Sequence, residues 1–168
     1  MAALASGQVL GKRAPGFALL DAETQKIHDI LDYRGRVVVL EFMQAACPHC
    51  AKFTNLLDQA QTKYGNRVAI LSIANPPSNH QAVAEFVKAN KVKTPILFDC
   101  GQVLYSYVAP KTGSILVPQV FLIDAQGIVR REFGYTEETR AIFEGKGLFA
   151  EIDAVLAGKV RVPAAPKK

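Results

Sequence analysis

The 168 residues fit one domain of ordinary size with short appendages. At 49% hydrophobic and 21% charged residues the chain can bury a sizeable core, which excludes disordered and fibrous classes. The net charge of +5 is scattered, with one terminal cluster at Lys167 and Lys168, so no nucleic-acid partner is called for, and no run approaches the ~18 apolar residues of a membrane span.

Along the chain, Met1 to Gln8 has no positive start and no sustained apolar stretch, so it does not read as an intact signal peptide. Either the protein stays in the cytosol or an export signal has been removed. The expected organisation is a flexible start at 1–10, one domain over 11–157 and a loose tail at 158–168. Phe17 to Leu20 predicts a short strand, followed by a polar turn from Asp21 to Lys26 and a brief segment from Asp29 to Tyr33. Arg34-Gly35-Arg36 turns the chain into Val37 to Phe42, an apolar run broken only by Glu41, as expected of a strand covered on both faces. Phe53, Leu56, Leu57, Ala60 and Tyr64 then repeat at helical spacing up to Gly65-Asn66. Val68 to Ile73 is a second buried strand. Ser78 is placed to cap a helix running to Ala89. Pro95 to Phe98 predicts a strand, Gln102 to Val108 a helix and Pro118 to Ile123 a strand, after which Asp124 to Gly127 turns a hairpin into Ile128 to Phe133. Gly147 to Leu156 closes the chain as a helix. Strands alternating with helices before a late hairpin give an α/β sandwich around a mixed sheet.

Three cysteines are too few and too odd in number for a disulfide scaffold. Cys47 and Cys50, separated by Pro48 and His49, sit where a buried strand hands over to a helix. Pro48 suits the first helical position, which puts Cys47 at or beside the N-cap, facing free N–H groups and the positive end of the helix dipole. Those groups favour its anionic, nucleophilic form. Cys50 falls one turn inside and is shielded. The asymmetry makes Cys47 the attacking sulfur and Cys50 the resolving one, joined in a reversible redox-active disulfide. His49 offers a further positive charge and donor near Cys47; the alternative is an exposed first-turn side chain. A zinc half-site is the other reading of the cysteine pair, but the chain supplies no second paired motif, only Cys100, His28 and His80.

Glu41 lies six residues before Cys47 in an apolar strand, where a carboxylate is costly unless used or paired. A place beneath the cysteines would let it exchange the Cys50 proton through a water; a solvent-facing edge position is the alternative. Pro118 opens the fourth apolar strand, and a cis Val117–Pro118 bond would present the Val117 backbone to an extended substrate, whereas a trans proline would merely begin an edge strand. Pattern alone leaves the isomer open.

Residues Gly11 to Phe17, Asp32 to Val39, Cys47 to Cys50 and Val117 to Gly127, in that order and spacing, resemble the thioredoxin superfamily, in its extracytoplasmic TlpA/ResA-like branch of the broader redoxin (AhpC/TSA) group. Over about residues 11 to 157 the resemblance implies a thioredoxin-like α/β fold with a central mixed sheet flanked by helices and an N-terminal β extension. It implies a cis peptide before Pro118 and dithiol–disulfide exchange at Cys47 and Cys50, with Glu41 as a buried acid. It also implies a substrate-binding surface at Val117, Pro118 and Pro48. The stretch Leu40-Glu41-Phe42 with Cys47-Pro48-His49-Cys50 is similar to the periplasmic oxidase DsbA. The family's tryptophan before the first cysteine is replaced by Ala46.

The expected function is that of a thiol–disulfide oxidoreductase acting on cysteines of partner proteins, with a separate redox partner protein. No cofactor, metal or nucleic acid is expected, and the protein is expected to be a monomer. An extracytoplasmic place is expected from the branch resembled, a cytoplasmic one being the alternative. Two other functions stand beside it. One is a copper-delivery-like metal module, whose relatives use a wider cysteine spacing. The other is a peroxiredoxin-like enzyme, which needs Thr or Ser where this chain has Gln44. Cys100 reads as a small core thiol, His28 and His80 as surface or capping residues, and Arg130 and Arg131 as a solvated face.

Overall fold

The structure is a computed structural model and describes residues 8–109, 115–160 and 162. Two short strands, β1 (Ala18–Leu20) and β2 (Ile27–Asp29), pair antiparallel with Leu19 opposite His28. They form the expected N-terminal extension, although β2, at three residues, is too short to show any periodicity and was not expected. The Asp29 side chain then accepts from the Leu31 N–H and opens one tight turn of helix at Ile30–Tyr33.

Val37–Met43 is β3, every residue of it buried. It leads into α1 (Pro48–Tyr64), β4 (Val68–Ala74), α2 (His80–Asn90), β5 (Ile96–Phe98) and α3 (Gln102–Tyr107). β6 (Gln119–Ile123) and β7 (Val129–Gly134) form the late hairpin, followed by α4 (Arg140–Phe143), a single turn with no signal in the sequence, and α5 (Leu148–Leu156). The five-stranded sheet runs β5-β4-β3-β6-β7, with β3, β4 and β5 parallel, β6 antiparallel to β3, and β7 antiparallel to β6. This is the thioredoxin-like arrangement.

Strand alternation assigns the two faces of the sheet. Val38, Leu40 and Phe42 point to one layer, with Phe17, Leu104, Tyr107 and Phe121. Val37 and Val39 point to the other, where they meet Phe53, Leu57, Ala60 and Tyr64 of α1 and Leu148, Ile152 and Val155 of α5. Each such large apolar side chain contributes about 1.5–3 kcal/mol by leaving water. Glu41 continues the odd-numbered series and therefore faces the α1 layer. Val9 and Val160, just outside the expected limits of 11 and 157, are buried in these layers. The tail from 163 onward lies outside the described residues.

Four expectations are corrected. Ser78 does not cap α2: Asn79 does, its side chain accepting from the Ala82 N–H, while the Ser78 hydroxyl accepts from the Ala45 N–H. His28 is buried instead of exposed, its Nδ1 bonded to the Tyr33 hydroxyl, and burial, reinforced by the charge of Lys26, pushes its pKa down. Cys100 is exposed: the chain leaves the sheet after Phe98, the last residue of the three-residue β5, and Cys100 lies two residues further on. Arg130 and Arg131 are paired: Arg130 Nε donates to Asp124 at 2.6 Å and Arg131 Nε to Glu151 at 2.7 Å. His80 is exposed, as expected, and stacks on Phe98.

Candidate active site

β3 ends at Met43, and the four residues before α1 are pinned from two sides. The Gln44 side chain donates to the Pro76 carbonyl at 2.7 Å, the Ala45 N–H donates to Ser78 Oγ at 2.9 Å, and the Cys47 N–H donates to the Gln44 carbonyl at 3.0 Å. The Gln44 side chain is thus engaged away from the sulfurs, while its backbone contacts Cys50. Cys47 is the N-cap of α1, with extended backbone and Pro48 in the first turn. Its sulfur occupies the place usually taken by a Ser or Asp oxygen and accepts from the Cys50 N–H at 3.2 Å. The helix therefore spends one of its unpaired N–H groups on the sulfur itself. Ala46, Pro48 and His49 are exposed around a half-buried Cys47, whereas Cys50 is fully buried. All three cysteines are free thiols.

The Val117–Pro118 peptide is cis, as the resemblance implies. The Cys47 thiol lies 3.9 Å from the Val117 carbonyl, to which it donates. The structure therefore brings Cys47, Cys50, Pro48, Val117 and Pro118 to one end of the sheet.

Glu41 lies in the middle strand, not at an edge, between Ser72 of β4 and Val120 of β6. Its side chain is fully buried. Oε2 accepts from Ser72 Oγ at 2.7 Å and from Thr54 Oγ1 at 3.3 Å, and Oε1 has no partner among the described residues. Burial pushes the Glu41 pKa from an ordinary 4.5 up to about 7, against the two hydroxyl bonds, which favour the charged form. The Cys50 thiol is pushed up too, first by burial and then by the charge of Glu41. A charged Glu41 thus favours the protonated Cys50 thiol, and burial holds both groups toward their neutral forms.

His49 does not bond either sulfur among the described residues. Its ring stacks on Tyr135, 4.4 Å between centroids and 26° between planes, and Tyr135 in turn packs edge-on against Phe143. Tyr135, Thr54 and Ser72 were not singled out in the sequence. Thr54 was legible in principle, as the residue four after Cys50 on the same helix face; Ser72 and Tyr135 depend on strand register and on a distant loop. Among the described residues no group of three or more His, Cys, Asp and Glu side chains comes together as a metal site, and no helix is long and apolar enough to cross a membrane.

Comparison with known proteins places this geometry. The sequence profile of the AhpC/TSA family matches residues 10–132. The thiol-disulfide oxidoreductase ResA of Bacillus thuringiensis subsp. konkukian (strain 97-27) is 32% identical over 124 residues, spanning 73% of this chain and 68% of the relative. Among solved structures, one from Bacteroides thetaiotaomicron, provisionally assigned as a protein disulfide isomerase, superposes with a TM-score of 0.73 at 25% identity, over 90% of this chain and 92% of that one. A provisionally assigned thiol:disulfide interchange protein DsbE from Chlorobium tepidum shares the fold, with a TM-score of 0.68 at 24% identity over 85% and 97% of the two chains.

Proposed function

The chain belongs to the AhpC/TSA family, and from that premise we propose that it is a thiol–disulfide oxidoreductase that exchanges disulfides with cysteines of partner proteins through Cys47 and Cys50. One observation carries this reading: an accessible sulfur caps the N-terminus of α1 while its partner thiol is buried one turn further on, above a buried carboxyl.

In the reductive direction, Cys47 as thiolate attacks a partner disulfide and displaces one partner sulfur, forming a mixed disulfide. The N–H of Cys50 and the helix dipole favour negative charge at that sulfur. Glu41 takes the proton of Cys50, whose sulfur then attacks Cys47 and releases the second partner thiolate. Oxidation is the same path reversed, with Glu41 returning the proton. The Val117 carbonyl beside Cys47, with Pro118 and Pro48, offers a backbone acceptor and an apolar rim to an extended segment of the partner. His49 lines the same rim, held by Tyr135. The chain acts as a monomer, outside the cytoplasm, with a second protein restoring its redox state; the branch it resembles and the DsbA-like Cys-Pro-His-Cys motif support that setting.

The test is disulfide exchange on insulin by wild type and Cys47→Ser, with the redox potential measured alongside. Exchange by wild type that falls to background in Cys47→Ser is expected, and no exchange by wild type refutes the reading. A potential near about −270 mV marks a reductant and one near about −120 mV an oxidant.

A further inference from the structure

The two oxygens of Glu41 are treated differently by the fold. Oε2 receives both hydroxyls, Ser72 Oγ at 2.7 Å and Thr54 Oγ1 at 3.3 Å, and Oε1, equally buried, receives nothing among the described residues. The division follows from register and helix phase. Ser72 is the direct neighbour of Glu41 across the parallel β3–β4 ladder, and Thr54 lies one helical turn beyond Cys50 on the face of α1 that covers the sheet. We propose that Ser72, assisted by Thr54, is a positioning residue for the proton step at Cys50, tying Oε2 to β4 and leaving Oε1 as the oxygen that takes up and returns the Cys50 proton. This rests on the exchange reading above.

The hydrogens available support different roles for the two hydroxyls. Each hydroxyl has one hydrogen to donate. Thr54 Oγ1 lies 2.9 Å from the Cys50 carbonyl and 3.3 Å from Glu41 Oε2, so it serves one of them at a time. When Glu41 is charged the hydrogen turns to Oε2; when Glu41 is protonated it returns to the carbonyl one turn back, the usual acceptor of a helical threonine. Ser72 Oγ bonds Glu41 alone among the described residues and keeps that bond in both states. Ser72 therefore fixes the carboxyl while Thr54 follows its charge.

In the resolving step the Cys50 S–H bond breaks and its proton passes to Oε1. The Cys50 sulfur forms the bond to Cys47, and the bond from Cys47 to the partner sulfur breaks, its electron pair leaving on the partner thiolate. The partner is reduced and the pair oxidised, with no further reactant. The titratable group facing Glu41 is Cys50, with Cys47 beyond it; Ser72, Thr54 and Val120, from β4, α1 and β6, carry no charge. Removing the Ser72 bond removes a contact that favours the carboxylate, so ionisation of Glu41 then requires a higher pH.

Stopped-flow mixing with 5,5′-dithiobis(2-nitrobenzoate) tests this in the full chain carrying Cys100→Ser, which removes the exposed third thiol. The first thionitrobenzoate released reports attack by Cys47 and the second reports resolution by Cys50. The rate of the second release should rise with pH around a midpoint near 7. In Ser72→Ala that midpoint should move up by about one pH unit, with resolution at pH 7 slowed up to about tenfold, and Ser72→Thr should restore it. Thr54→Val, which leaves β4 untouched, should move it the same way by less and serves if Ser72→Ala does not fold. An unchanged midpoint in Ser72→Ala and Thr54→Val, with the transition lost in Glu41→Gln, overturns the positioning role alone. A transition that survives Glu41→Gln overturns the proton role of Glu41 itself.

Discussion

Two buried carboxylates stand near opposite ends of the same sheet and are solvated by the protein in opposite ways. Asp124, at the hairpin end, directs Oδ1 at the N–H groups of Gln126 and Ile128 and Oδ2 at Arg130, so both its oxygens and its charge are matched. It holds the turn in which Gly127, at φ +80, takes a conformation that other residues rarely adopt. Glu41, toward the thiol end, has two hydroxyls on one oxygen and, among the described residues, nothing on the other and no cation. A carboxylate met by an arginine and two amides has its charge matched and fixes backbone; one that is buried and met only by hydroxyls can change its protonation near neutral pH. The same side-chain chemistry serves architecture at one end and, in the proposed exchange, proton transfer at the other.

Changes at the two sites should separate these roles. Glu41→Gln should slow resolution of the mixed disulfide by about a hundredfold, the usual scale of a lost proton-transfer group, whereas Asp124→Asn should leave it unchanged; rapid-mixing kinetics measures both. The next effect is on stability. Because the folded Glu41 titrates near 7 and the unfolded one near 4.5, its contribution is fully present below about pH 4.5 and is lost as pH rises through 7, by about 3 kcal/mol. Urea unfolding from pH 4 to 8 should show that loss in wild type relative to Glu41→Gln, and parallel curves would contradict it. The smallest effect belongs to Asp124→Asn, which keeps an acceptor for the two amides but loses the charge facing a one-third-exposed Arg130. It should cost about 1 kcal/mol, discounted for solvent screening, and melting curves would show a drop of a few degrees.

Much of this was legible in the chain, and the reasons are local. The Cys47-Pro48-His49-Cys50 motif, the apolar runs of β3, β4 and β6 and the helical phase of α1 are set by neighbours in sequence. Glu41 stood out because a charge in an apolar strand has few explanations. Ser72 was hidden, because a serine inside a buried strand is informative only once the register sets it opposite Glu41. Tyr135 was hidden because its partner is 86 positions away. Cys100 misled: a cysteine after a short strand is more often a small core thiol, but the strand before it is three residues long and releases the chain to the surface. Ser78 misled as a cap because Asn79, next to it, has the same capacity, and the Ala45 N–H claims the serine.

That exposed third thiol also sharpens the central test. Cys50→Ser should leave an attacking sulfur that cannot be resolved, so a disulfide-bearing protein substrate should accumulate as a stable mixed disulfide. Peptide mass spectrometry of that adduct should find the partner cysteine on Cys47. An adduct on Cys100, with Cys47 still free, would contradict the assignment of Cys47 as the sulfur that engages other proteins.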